Sequence, residues 1–107
     1  MALFEKKIIV GQEQKTFERI RMLRLNILVH SVIYYKLNQN IITDEKFDNI
    51  VKELAIIQKK HANISAQVKE YKKEFEKWDG LTSGCHKLPL NDKWANRKAH
   101  YLLRICK

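Results

Sequence analysis

Apolar side chains recur at steps of three and four residues along most of the chain, which is the period of an α-helix that buries one face. The clearest stripe lies between residues 44 and 60 and consists of Phe47, Ile50, Val51, Leu54 and Ile57. A longer segment, about 13–37, has the same period but is apolar on more than one side in its second half. We expect that second half to be the most buried part of the protein.

Turn-forming residues separate these two segments. Residues 1–12 are expected to form a lead-in, within which residues 3–10 are ambiguous between a short helix and an extended segment that Gly11 ends. Residues 38–40, Asn-Gln-Asn, interrupt the helical period, and Thr43 is a favourable N-cap for the stripe that follows. A helical hairpin over residues 13–61 is therefore predicted.

A third helix, 64–78, repeats its apolar residues at alternating steps of four and three, namely Ile64, Val68, Tyr71, Phe75 and Trp78. We expect this seam to pack against the hairpin, because two heptads are too short for a stable coiled coil. Asp79-Gly80 stops the helix and residues 81–90 are expected to form a loop. Asn91 or Asp92 then caps a last helix, 92–106, whose packing residues are predicted to be Trp94, Ala95, Tyr101, Leu102 and Ile105. With three glycines and one proline to make turns, the chain is predicted to be a single all-α domain, a small bundle of about four helices.

The net charge of +9 is concentrated at the two ends of the chain. Residues 1–40 carry seven Lys/Arg and three acids, residues 41–80 carry eight of each, and residues 81–107 carry six Lys/Arg against Asp92 alone. A positive field favours an anionic partner, such as an acidic protein surface, a protein–nucleic acid complex or a nucleic acid. The candidate partner-binding residues on the last helix are Lys93, Arg97, Lys98, Arg104 and Lys107.

The chain offers little catalytic chemistry. The phosphate-binding loop, the dinucleotide fingerprint, the nucleophile elbow and the zinc-protease motif do not occur in it. Cys85, His86, His100 and Cys106 are the candidate ligands for a metal ion. We expect no metal site, because His100 and Cys106 are six residues apart and do not share a helix face. No apolar run reaches the length of a membrane span, and the charged start lacks the apolar stretch of a signal peptide. We therefore expect a cytoplasmic protein with free thiols that is not an enzyme on its own.

One segment carries a more specific pattern. The pair Tyr34-Tyr35 is followed, ten residues after Tyr34, by Asp44, then Phe47-Asp48 and Glu53-Leu54. Residues 24–54 resemble the small N-terminal helical domain, the Ia-type domain, of bacterial NAD-dependent DNA ligases. That domain carries an aromatic pair, an Asp-x-Pro linker, a Ser-Asp-x-x-Tyr-Asp-x-Leu motif and a Glu-Leu. The resemblance implies a helical hairpin that binds the nicotinamide mononucleotide (NMN) end of NAD. It implies that Tyr34, Tyr35 and Phe47 stack on the nicotinamide, and that Asp44 and Asp48 accept hydrogen bonds from the ribose or the amide.

The segment also departs from the family pattern. Phe47 stands where the family has Tyr, and Asn38 and Asn40 replace the Asp and Pro of the linker. The nucleotidyltransferase domain that follows in the family has no counterpart after His61. An alternative interpretation makes Thr43-Asp44 a helix cap and the three aromatic residues part of the core.

Three functions from different classes therefore stay open. The favoured one is a non-catalytic interaction protein, of phage or mobile-element origin. Such a protein would keep the hairpin as a scaffold and use its basic ends to bind an acidic partner such as a nucleic-acid-handling or defence enzyme, with inhibition of that enzyme as one candidate role. The second is a module that binds NMN or NAD, and the third is a protein that binds nucleic acid directly and non-specifically.

Overall fold

A computed structural model describes the backbone of residues 2–106 and the side chains of residues 11–106, and every regular element in that range is helical. Five α-helices follow one another: α1 (Ala2–Ser31), α2 (Asp44–Lys60), α3 (Ala62–Gln67), α4 (Lys72–Lys77) and α5 (Lys93–Ile105). A π-helical turn, Val32–Lys36, extends α1, and a 3-10 segment, Thr82–Lys87, precedes α5. The all-α prediction is confirmed. No helix in the described part of the chain is long and apolar enough to cross a membrane.

Helix α1 runs without interruption through Gly11, so the prediction that this glycine ends a separate lead-in was wrong. A glycine inside a helix costs only about 1 kcal/mol relative to alanine, which flanking helical residues can offset. The predicted break after the first long helix is confirmed, because the π-helical turn ends at Leu37 and Asn38 has a φ of 54°. Asparagine adopts this left-handed conformation more readily than most residues.

The hairpin of α1 and α2 forms the centre of the core. Helix α2 has the predicted bounds, and the Thr43 side chain caps it by accepting a hydrogen bond from the backbone N–H of Lys46 at 3.1 Å. The stripe on α2 faces α1, with Phe47, Val51 and Leu54 buried. The second half of α1 is the most buried stretch, as predicted, and contributes Ile20, Leu23, Ile27, Leu28, Val29, Val32 and Ile33, the last two from the π-helical turn.

The predicted third helix is broken in two, which corrects the prediction of one continuous helix over residues 64–78. Val68 is extended and Tyr71 has a φ of 53°, so the chain leaves the helical conformation between α3 and α4. The cause lies in α1, where the Arg24 side chain is only 1 % exposed. Its guanidinium donates to the carbonyls of Ser65, Val68 and Glu70 at 2.9–3.1 Å. These carbonyls can turn toward Arg24 because the helix opens there.

The C-terminal third closes the bundle. Asp92 caps α5 by accepting from the N–H of Ala95 at 2.9 Å, and Ala95 and Ala99 form the buried face of this helix. The expectation that Tyr101 and Ile105 pack was wrong, since they are 46 % and 58 % exposed. Both lie away from the side that carries the two alanines. Part of the predicted loop is the 3-10 segment, which buries Cys85, whereas Cys106 is exposed, and both thiols are free.

Candidate functional site

A cleft of about 470 Å³ lies where the π-helical turn meets the first turn of α2. This volume is within the range of about 300–1,000 Å³ that is typical of small-molecule sites. This cleft is lined by all five residues that the sequence predicted to bind a nucleotide and by two that were not predicted. The full lining is Tyr34, Tyr35, Asp44, Glu45, Phe47, Asp48 and Thr82.

The aromatic side of the cleft comes from the π-helical turn. The rings of Tyr34 and Tyr35 are 4.8 Å apart between centroids and tilted by 59°. Tyr34 is 45 % exposed, so one aromatic surface is open to a ligand. Tyr35 is held more firmly, because its hydroxyl donates to the carbonyl of Thr82 at 3.3 Å and the His86 ring contacts it edge-on. Burial also raises the pKa of Tyr35, so its phenol stays neutral. Phe47 is buried and closes the base of the cleft.

The opposite side of the cleft is acidic. Asp48 accepts a hydrogen bond from the Thr82 hydroxyl at 2.6 Å on one oxygen, and Lys52 Nζ lies 3.0 Å from the other. These two contacts, the Thr82 hydrogen bond first, lower the pKa of Asp48, so it is a carboxylate at neutral pH. Asp44 and Glu45 add two more acidic groups in the first turn of α2, where the helix dipole favours negative charge.

The lining therefore combines aromatic rings with carboxylates, and no lysine or arginine is among the residues that line the cleft. A flat ring that carries positive charge fits such a site, because the faces of aromatic rings attract cations and carboxylates accept from N–H and O–H donors. A phosphate group does not fit between the acidic residues and would have to point toward solvent.

Two lining residues were missed by sequence reasoning. Glu45 was not among the predicted site residues, although it directly follows Asp44. Thr82 lies 34 residues beyond Asp48 in a segment predicted to be a loop, and no local pattern marks it. The π-helical turn was also missed, although such turns are often found at functional sites.

A second cleft, of about 520 Å³, lies beside Arg24 and is lined also by Gln58, Ser65 and Trp78. Its main polar group is already fully used. The five N–H groups of Arg24 donate to Gln58, to the Ser65 hydroxyl and to the three carbonyls described above. The role of this arginine is therefore to hold the junction between α3 and α4, and its cleft offers a ligand less than the aromatic and acidic cleft does.

Four of the five predicted partner-binding residues are on α5, and none of these four lines the aromatic cleft. Lys93, Arg97, Lys98 and Arg104 are all exposed, and Lys107 lies outside the described residues. Lys98 lies on a different face of the helix from the other three, and its Nζ is 5.2 Å from the centroid of the Tyr101 ring. Their role in binding stays a prediction.

The fold and the cleft define a small helical domain, in which an aromatic and acidic cleft lies between two helices joined by a short connection. The family model that is described as the DNA ligase-like, N-terminal NAD+-binding domain matches residues 13–74. This range is more than half of the chain, so the chain belongs to that family. The resemblance noted over residues 24–54 is thereby confirmed and extended to α1, α3 and the start of α4. No curated protein and no solved structure matches the chain.

Proposed function

We propose that the chain binds the nicotinamide end of NAD+ or of NMN in the aromatic and acidic cleft. The observation that carries this proposal is the convergence of Tyr34, Tyr35, Asp44, Phe47 and Asp48 on one cleft of suitable size, within the part of the chain that matches an NAD+-binding domain family.

The chemistry of the ligand agrees with the cleft. Oxidised nicotinamide is a flat, cationic ring that carries a carboxamide. The open face of Tyr34 can stack on this ring, and the carboxylates lower the energy of its positive charge. Asp44 and Asp48 can accept hydrogen bonds from the carboxamide N–H groups or from the ribose hydroxyls. The phosphate then extends out of the cleft, where water solvates it.

In this proposal the chain is a binding module and has no catalytic activity of its own. We expect weak affinity, with a Kd between tens of micromolar and millimolar, because an open cleft on one small domain buries only part of the ligand. The interaction or inhibitor role favoured from the sequence, and the phage or mobile-element origin, stay predictions, since the support for that role is the distribution of charge.

The test is calorimetric titration of the full chain with NMN, NAD+ and the reduced form of NMN, in which the nicotinamide ring is neutral. We expect the two oxidised ligands to bind and the reduced form to bind more weakly, because it lacks the positive charge. Asp48→Ala and Tyr34→Ala are each expected to weaken NMN binding by about tenfold, which is the loss of one charged hydrogen bond or one stacking contact.

Asn49→Ala is the matched control, because Asn49 is exposed on α2 next to Asp48 but does not line the cleft. It should leave the affinity unchanged. No detectable heat with millimolar NMN and NAD+, confirmed by unchanged NMR shifts of the cleft residues, would show that the cleft does not bind nicotinamide nucleotides.

A further inference from the structure

Helix α5 presents a row of basic side chains to solvent. Lys93, Arg97, His100 and Arg104 are all exposed, and they follow one another at steps of four, three and four residues. At about 100° per residue, these four positions fall within an arc of roughly 60°, and at about 1.5 Å per residue they extend over roughly 16 Å. We call this row the α5 stripe. It lies on the side of α5 opposite Ala95 and Ala99, which face the core.

Acidic groups do not neutralise the α5 stripe. The sequence of α5 contains no Asp or Glu, and among the side chains of residues 11–106 the ion pairs do not include a cation of this helix. Asp92, at its start, is engaged by the Tyr71 hydroxyl at 2.7 Å and by the N–H of Ala95. An open groove of about 700 Å³ follows the stripe and is lined by Asn96, Arg97, His100, Leu103 and Arg104.

An aromatic ring flanks the stripe. Tyr101 is nearly half exposed and lies next to His100 and one turn from Arg97 and Arg104. Lys98 approaches the Tyr101 ring and adds a further cation beside it. A row of basic side chains that can follow a phosphate backbone, with an aromatic ring on which a base can stack, is the combination that proteins use to bind single-stranded nucleic acid.

We infer that the α5 stripe binds single-stranded nucleic acid, with successive phosphates along Lys93, Arg97, His100 and Arg104 and an unpaired base on Tyr101. A single strand is favoured over a duplex because a base within a duplex is already stacked and cannot reach the Tyr101 ring. It is favoured over an acidic protein because the stripe is continuous, as a phosphate backbone is, and the exposed Tyr101 ring beside it offers a surface on which a base can stack. The site lies outside the residues that match the NAD+-binding domain family, and it does not depend on the proposed nicotinamide site.

The experiment measures fluorescence anisotropy of a labelled 20-nucleotide thymidine strand with the full chain at several salt concentrations. We expect a Kd of about 1–100 μM at physiological salt, the range of non-specific binding. The slope of log K against log salt should be about −2 to −3 for three or four phosphates. Arg97→Glu with Arg104→Glu should weaken binding at least tenfold, and Tyr101→Ala should weaken it about tenfold.

Lys73→Glu with Lys77→Glu is the matched control. Both lysines are exposed on α4 among acidic residues, and this pair changes the net charge by the same amount as the arginine pair. It should reduce binding less than threefold. Circular dichroism of each variant confirms that it retains the helical fold.

Three results would overturn the inference. An equal loss of affinity in the two charge-reversed double variants would mean that net charge alone attracts the strand. A 20-base-pair duplex that binds as tightly as the single strand, with no effect of Tyr101→Ala, would exclude base stacking. Poly-glutamate that competes as well as unlabelled thymidine strand at equal charge would assign the stripe to an acidic protein surface instead.

Discussion

Arg24→Met is expected to destabilise the fold by about 3 kcal/mol. Methionine keeps the apolar stem of the side chain but removes all five N–H donors. Gln58 and the Ser65 hydroxyl can turn toward water, but the backbone carbonyls of Ser65, Val68 and Glu70 cannot. An unsatisfied buried acceptor costs about 1–3 kcal/mol. We use the lower value for each of the three carbonyls, because the adjacent cleft admits water.

Urea unfolding at 25 °C, followed by circular dichroism, measures this loss. For a slope of about 2 kcal/mol per molar urea, the midpoint should fall by roughly 1.5 M. Arg19→Met is the control, because Arg19 is exposed and its ion pair with Glu53 should contribute less than about 1 kcal/mol. A free energy of unfolding for Arg24→Met within about 1 kcal/mol of that of the unchanged protein would contradict this reasoning. Water would then replace the guanidinium, and Arg24 would not stabilise the break between α3 and α4.

Three further predictions follow from single contacts. Thr82→Val should raise the pKa of Asp48 more than Lys52→Met does, because the Thr82 hydroxyl is the larger cause of the lowered pKa. NMR titration of the carboxyl groups measures the pKa in both variants. A larger rise in Lys52→Met would contradict the geometry. Burial lowers the pKa of His30, so its contribution to stability should be complete above pH 6.5 and decline as the pH falls below that value. In His30→Phe the urea midpoint should therefore change less between pH 7.5 and 5 than it does in the unchanged protein. The same pH dependence in both proteins would count against this. Gly11→Ala should stabilise the protein by about 0.5–1 kcal/mol in urea, because it lies within α1 with nothing within 4 Å of the added methyl group; a loss of stability would mean that α1 does not continue through it.

Local signals were sufficient to predict part of the fold and most of the cleft. Helix α2 has a capping threonine, acidic residues in its first turn and one apolar stripe, and all of these act within a few residues of one another. Tyr34, Tyr35, Asp44 and Asp48 flank a single turn, so a correct hairpin is enough to bring them together.

Long-range contacts account for what the sequence did not reveal. The apolar spacing from Ile64 to Trp78 fits a continuous helix. The break arises because Arg24, more than forty residues earlier, donates hydrogen bonds to the carbonyls of the open turn. Thr82 reaches Asp48 only after the whole bundle has formed. The exposure of Tyr101 and Ile105 has a similar origin, since the small residues Ala95 and Ala99 decide which side of α5 faces the core.

The contacts of the C-terminal third have a consequence for how this domain can be exchanged between proteins. The family match ends at residue 74, yet four side-chain hydrogen bonds join the matched residues to later ones: Asp48 to Thr82, Tyr35 to the Thr82 carbonyl, Tyr71 to Asp92, and Lys36 to Asn91. The apolar core likewise continues into Phe75, Cys85, Leu88, Ala95 and Ala99. Residues 13–74 therefore do not contain the whole core of the domain. A recombination event that moved them alone would leave one side of the core uncovered, so the hairpin and its C-terminal cover must be inherited together.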